Sequence, residues 1–175
     1  ILTKGLGVGI LSAAFKQEKL ADAGYAALIG STTQLNTPGA KLAGRTGVHA
    51  VTDVTGFGLL GHGLEMARGS NLTVEIEAAA APLLDGVEVM ARDGMRTGAS
   101  GRNWASYGEG VVLPEGFDAW QRDLLTDPQT SGGLLIAVAA DQAGAVLDLV
   151  RADGFDRAAV VGRVIEGPAV VRVIG

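Results

Sequence analysis

Two short stretches concentrate the residues able to do chemistry. The first, T-D-V-T-G-F-G-L-L-G-H from Thr52 to His62, sets Gly56, Gly58 and Gly61 in the spacing G-x-G-x-x-G, with an acidic residue at Glu75 or Glu77 about 20 positions on. That spacing invites a dinucleotide-binding turn, where N–H groups at a helix start meet a pyrophosphate. Two features oppose it. Thr52-Asp53-Val54-Thr55 stands between the apolar strand and the first glycine. A carboxylate about 4 Å from a phosphate charge is repelled by roughly 1 kcal/mol in water and roughly 4 kcal/mol at an effective dielectric of 20. A helix terminus offsets only about 0.3 to 2 kcal/mol of this. Asp53 beside phosphate therefore makes sense with a divalent cation between them, and Mg²⁺, which joins one or two carboxylates to substrate phosphates, fits. The second objection is that L-T-V-E-I-E alternates strictly, so Glu75 and Glu77 read as the solvated face of a half-exposed strand and not as a ribose-binding acid. On the residues alone, Asp53 and Thr55 stay divided between a ligand role and an Asx-turn or helix cap.

The second stretch, L-L-T-D-P-Q-T-S-G-G-L-L-I-A-V from Leu124 to Val138, gathers Asp127, Thr130 and Ser131 before Gly132 and Gly133. Glycines without side-chain bulk let backbone N–H groups and the two hydroxyls approach an anion. The same letters equally describe a proline-containing turn entering a crowded sheet. His62, between Leu59 and Met66 along one side of a helix, reads as a packed, hydrogen-bonded histidine, and His49 reads the same way. Two histidines without cysteine or H-E-x-x-H spacing make a poor zinc site. Trp104 and Tyr107 read as aromatics that pin a loop to the core, with stacking on a nucleotide as the alternative.

The elements that must position these residues follow from periodicity. Val8 to about Arg45 is rich in Ala and Leu and reads as helices interrupted at Gly30 and by a turn at Asn36–Gly39. V-H-A-V-T-D is a short strand, joined by the glycines to a helix with Leu60, Leu64 and Ala67 on one face. A short helix spans Leu84 to about Arg92, and Asp93 to Gly110 reads as a long glycine-rich, mobile loop. L-L-I-A-V-A-A reads as a mid-sheet strand buried on both faces. Asp141 caps the next helix, which Gly154 closes, and the two apolar runs around Glu166-Gly167-Pro168 form a terminal hairpin. The order predicts a single α+β domain of mixed α/β layers.

Composition sets the outer limits. A chain of 175 residues, 47% hydrophobic, buries one full core. Its net charge of -5, with Lys and Arg dispersed, gives no footprint for nucleic acid or an anionic membrane, and any phosphate it handles needs a counter-cation. The absence of cysteine excludes disulfides and thiolate chemistry within this chain and points to the cytoplasm. No apolar run approaches the roughly 20 residues of a membrane span. The chain opens on Ile1, so it is expected to be a piece of something longer.

Taken together, G-V-H-A-V-T-D-V-T-G-F-G-L-L-G-H-G-L-E-M-A, A-P-L-L-D-G-V and L-L-T-D-P-Q-T-S-G-G-L-L-I-A-V resemble, in order and spacing, the C-terminal half of the selenophosphate synthetases, or selenide, water dikinases. The resemblance runs from Leu2 to Gly167. It implies the C-terminal domain fold of the superfamily that includes aminoimidazole ribonucleotide synthetase, a mixed sheet with packed helices. It also implies an enzyme making selenophosphate from selenide, ATP and water with Mg²⁺, releasing AMP and phosphate. By the same resemblance residues 1–175 are one C-terminal domain, while the ATP-binding N-terminal domain, with its Cys or selenocysteine and its Lys, lies outside this chain. The partners implied are the small-molecule substrates, that N-terminal domain and a second copy in a homodimer. Carried over, Asp53 is a Mg²⁺ ligand; Thr52, Thr55 and Gly56 line the same pocket, with Thr130, Ser131, Gly132 and Gly133 beside them. Asn103 joins them although Ser100-Gly101 replaces the family's paired glycines.

Overall fold

The computed structural model describes residues 1–175. Helices α1 (Val8–Lys16), α2 (Asp22–Thr33) and α3 (Pro38–Leu42) precede strand β1 (Val48–Asp53) and helix α4 (Gly58–Ser70). Strand β2 (Thr73–Glu77), helices α5 (Val87–Arg92) and α6 (Gly98–Tyr107) and strand β3 (Val111–Val112) follow. Helix α7 (Ala119–Leu125), strand β4 (Leu134–Val138), helix α8 (Ala143–Ala152) and strands β5 (Gly162–Ile165) and β6 (Val171–Ile174) complete the chain. The α+β reading holds. No helix is long and apolar enough to cross a membrane.

The strands form a split sheet. One part pairs β1 with β4 antiparallel, and the other has the order β3-β6-β2-β5. Residues 1–3 join them, because Leu2 bridges both Leu135 and Ala159. β4 is thus flanked by β1 on one side and by residues 1–3 on the other, as a mid-sheet strand should be. Its burial is confined to Leu134, Leu135 and Ile136. Helix α4 lays Leu59, Leu60, Leu64 and Ala67 on the four-stranded part, while Val146 and Val150 of α8 cover Leu134 and Ile136.

Several expectations give way. The terminal hairpin does not form: β5 and β6 both pair with β2, β5 antiparallel and β6 parallel, so β2 lies between them. Glu75 is buried in this central strand and not solvated. Its Oε2 accepts from Arg163 Nε of β5 at 2.6 Å and its Oε1 from Arg172 Nη1 of β6 at 3.0 Å. A carboxylate flanked by two guanidinium groups matches its neighbours only in the middle position. Residues 93–110 are not a long loop either. Thr97 Oγ1 accepts the Ser100 N–H and starts α6, so the glycine content masked a capped helix. Gly30 lies inside α2, and Asn36–Gly39 opens α3 with Pro38 in its first turn. Asp141 makes no cap for α8, which begins after Gln142, whereas Gly154, at φ 88°, does follow its end.

The hydrogen bonds from Arg163 and Arg172 hold the Glu75 carboxyl below its ordinary pKa. Its contribution to stability is therefore full above the unfolded carboxylate range near pH ~4.3 and is lost as pH falls through the lower folded value. Glu75→Gln should lower the melting temperature at neutral pH, and thermal denaturation across pH 2 to 7 should show the gap to the parent closing in acid.

Candidate functional site

β1 ends at Asp53, which pairs in register with Leu134, so its carboxylate stands beside the end of the T-S-G-G turn. The side chain of Asp53 is exposed and makes no hydrogen bond or ion pair. It is neither an Asx-turn nor a cap, for α4 starts after Phe57 without any side-chain cap. Thr55 does not cap the helix either: its Oγ1 lies 3.1 Å from Nε2 of His62, whose Nδ1 is 2.9 Å from Glu65 Oε2. His62 is buried and bonded at both ring nitrogens; His49 differs from expectation in being exposed and unbonded. Thr52 is half-buried, with its hydroxyl directed at the Asp53 carbonyl at 3.4 Å.

The glycines divide by what surrounds them. A Cβ on Gly58 would lie 2.7 Å from the Thr126 carbonyl carbon, and one on Gly61 would meet Phe57 and Tyr107. These two serve the packing of α4 on α6 and α7. Gly56 is open, and its carbonyl accepts from Asn103 Nδ2 at 2.8 Å. The G-x-G-x-x-G spacing is thus a packing pattern carrying one exposed glycine.

Gly132 and Gly133 are likewise enclosed by their neighbours. Both are buried: a Cβ on Gly132 would collide with the Val54 carbonyl, and one on Gly133 would lie 2.5 Å from Lys4 N. They let three main chains stack at backbone distance. Gly133 O accepts from Val54 N at 2.8 Å, and Gln129 N donates to Thr55 O at 2.9 Å, tying the two motifs together. The exposed members are Thr130 and Ser131, whose hydroxyls make no hydrogen bond, and Ser131 holds a left-handed φ of 51°. Asn103 is buried and donates through Nδ2 to both Gly56 O and Thr126 O at 2.8 and 3.0 Å, so its amide nitrogen positions the glycine turn. Tyr107, buried with its hydroxyl on Phe57 O, and Trp104, packed on Gly108, pin α6 to the core.

Sequence reasoning missed the ties behind these groups. Buried Lys4 donates through Nζ to the carbonyls of Ser31, Gln34 and Ser131, and burial pushes its pKa down. Asn36 Nδ2 donates to Gly132 O at 2.9 Å. Gln129 Oε1 accepts the N–H groups of Gly7 and Val8, and Asp127 Oδ2 accepts that of Ile10, so D-P-Q caps α1 from 117 or more residues away. A signal existed. The start of α1, G-L-G-V-G-I, contains no residue able to cap it, so its free N–H groups had to be met from elsewhere.

The whole chain, residues 1–175, matches the family model described as AIR synthase related protein, C-terminal domain, and the chain belongs to that family. It is 58% identical over 173 residues to the selenide, water dikinase of Burkholderia ambifaria, covering 99% of this chain and 49% of that protein. The Rhizobium meliloti selenide, water dikinase is 56% identical over 174 residues, covering 99% and 50%. The chain therefore spans about half the length of these curated relatives and matches their C-terminal half. Among solved structures, E. coli HypE superposes with a TM-score of 0.70 at 21% identity, over 99% of this chain and 45% of that one, which shows the fold.

Two measurements check this site. Gly132→Ala should destabilise by about 3 kcal/mol in denaturant unfolding, because its neighbour is rigid backbone, while Ser131→Gly should stay within about 1 kcal/mol. Asp127 is buried, and desolvation pushes its pKa up to about 7 against the hydrogen bonds from Ile10 and Gln129. Its stabilising contribution is complete below the unfolded value near pH ~3.9 and disappears as pH rises through about 7. Asp127→Asn should flatten the decline in stability between pH 4 and 8.

Proposed function

We propose that this chain is the C-terminal domain of a selenophosphate-forming enzyme, supplying one edge of an active site completed by an N-terminal ATP-binding half. The observation that carries the reading is Asp53: an exposed carboxylate with no partner in the chain, at a strand end whose backbone is hydrogen-bonded to the turn carrying the free hydroxyls of Thr130 and Ser131. Around it the other polar side chains are already engaged. The high identity to selenide, water dikinases across the whole chain supports the substrate class: ATP, selenide and water, with AMP and phosphate as products.

Mg²⁺ suits this donor set. No group of three carboxylates or histidines comes together in the chain, and Mg²⁺ does not need one, since it keeps waters and takes one or two carboxylates together with phosphate oxygens. Asp53 would hold the ion, which when bound neutralises phosphate charge. Thr52, Thr55 and Gly56 shape the turn that presents this carboxylate, and Thr130 and Ser131 offer hydroxyl donors to phosphate oxygens. Gly132, Gly133 and Asn103 keep the two turns together. The nucleophile and the catalytic lysine belong to the N-terminal half. In the cell the full protein works in the cytoplasm as a homodimer.

In the full-length protein, Asp53→Asn should reduce selenide-dependent AMP formation on the order of 10²-fold or more, as expected on losing a metal ligand, and leave the melting temperature nearly unchanged. Unchanged turnover would favour a non-catalytic scaffold of the same fold. Residues 1–175 alone should unfold cooperatively and form no AMP.

A further inference from the structure

A cleft of about 670 Å³ lies away from Asp53 where the sheet splits. One wall is β4 with the residues after it, Leu135–Ala140, and the other is Val160–Val164 leading into β5; Ile1 lies between them. The lining is mostly apolar, and its one carboxylate, Glu75, is engaged by Arg163 and Arg172. Val160 and Val164 remain 48% and 39% exposed.

Main-chain groups decide what fits. Ile1 and Ile136 exchange both hydrogen bonds, Ile1 N to Ile136 O and Ile136 N to Ile1 O, each 2.8 Å. Leu2 and Ala159 likewise exchange both, at 2.9 and 3.0 Å. Residues 1–3 are thus a strand antiparallel to β4 and to the segment entering β5, aimed into the cleft. Along β4 the groups of Leu134 and Ile136 face residues 1–3, so the pleat turns those of Val138 toward the cleft. Val160 makes no main-chain hydrogen bond. A small apolar ligand would cover the side chains and leave the Val138 groups unpaired, whereas a strand satisfies them. The Ile1 amino group is buried, which pushes its pKa down to about 6; a peptide N–H there keeps the bond to Ile136 O with no charge to desolvate.

We propose that the cleft seats a further β-strand, the stretch of the longer polypeptide immediately preceding Ile1, running antiparallel to β4 and closing the split between β4 and β5. This rests on the reading above only in taking the chain as the C-terminal half of a longer protein, as its match to half of each curated relative supports. The register follows from the Ile1–Ile136 pair. The residue just before Ile1 faces Ala137 in a non-hydrogen-bonded pair, and the one before that exchanges hydrogen bonds with Val138.

The test uses the full-length protein and reads no activity, so its failure is separable from failure of the enzymatic assignment. Cysteines replacing the residue before Ile1 and Ala137 (Ala137→Cys) should close a disulfide within one molecule under mild oxidation, located by peptide mass mapping. Non-hydrogen-bonded antiparallel pairs have Cα atoms about 4.5 Å apart, inside the disulfide range of about 4.4–6.8 Å. In the unsubstituted protein the Val138 amide should exchange within about tenfold of Ile136, a ladder amide. A Val138 amide exchanging at exposed-loop rates, no disulfide, or one only between two molecules would overturn the proposal; the last would assign the cleft to a second copy.

Discussion

The structure depends on a close stack of three main chains. Gly132 and Gly133 run between Val54, at the end of β1, and Lys4, and no side chain fits at either position. Because the chains approach at backbone distance, Val54 N reaches Gly133 O, and Leu134 N reaches Thr3 Oγ1 at 2.7 Å. β4 can then begin at Leu134 paired on both sides. The same stack brings the turn holding Asp53 against the turn holding Thr130 and Ser131. A side chain in the stack would disturb both the start of β4 and the turns on either side of it.

Around that stack, buried polar groups are spent on architecture. Asp127 and Gln129 cap α1 from the far end of the sequence, and Gly9 leaves the space that the Asp127 carboxylate occupies. Lys4 gathers the last carbonyls of the α2 region and the Ser131 carbonyl on one ammonium, a favourable pairing for a cation at a helix C-terminus. Ser131 in its left-handed conformation is held by this contact, so the turn presents its hydroxyls from a fixed backbone. Asp53, Thr130 and Ser131 are left over after this division.

Much of this was legible in the sequence where periodicity is local. The β1-to-α4 passage and the buried face of Leu60, Leu64 and Ala67 follow from spacing alone. Asp53 stood out because a carboxylate in a phosphate-like turn is electrostatically costly without a cation. Misreadings arose where the deciding partner is remote. The strict alternation of β2 placed Glu75 on a polar face, and only the arginines of β5 and β6 make that position buried. Residues 93–110 looked like a loop because glycine lowers helix propensity, yet the Thr97 cap and the packing of Tyr107 outweigh it. Asn103 was found by resemblance, but its two bonds to carbonyls assign it the placing of the turn.

The two edges of the domain have different physical characters. At the Asp53 edge the free groups are a charge and hydroxyls, stable in water without a partner and able to meet a hydrated ion. At the split of the sheet the free groups are valines and main-chain donors and acceptors, which gain most from being covered by more protein. With a net charge of -5 and the unpaired Asp53 carboxylate, the domain by itself offers no electrostatic attraction to a polyanion at that edge. Residues 1–4 connect the two edges. Ile1 and Leu2 tie the split sheet together, Thr3 caps the start of β4, and Lys4 fixes the Ser131 turn. These four residues therefore hold the split of the sheet and the Ser131 turn in one fixed relation.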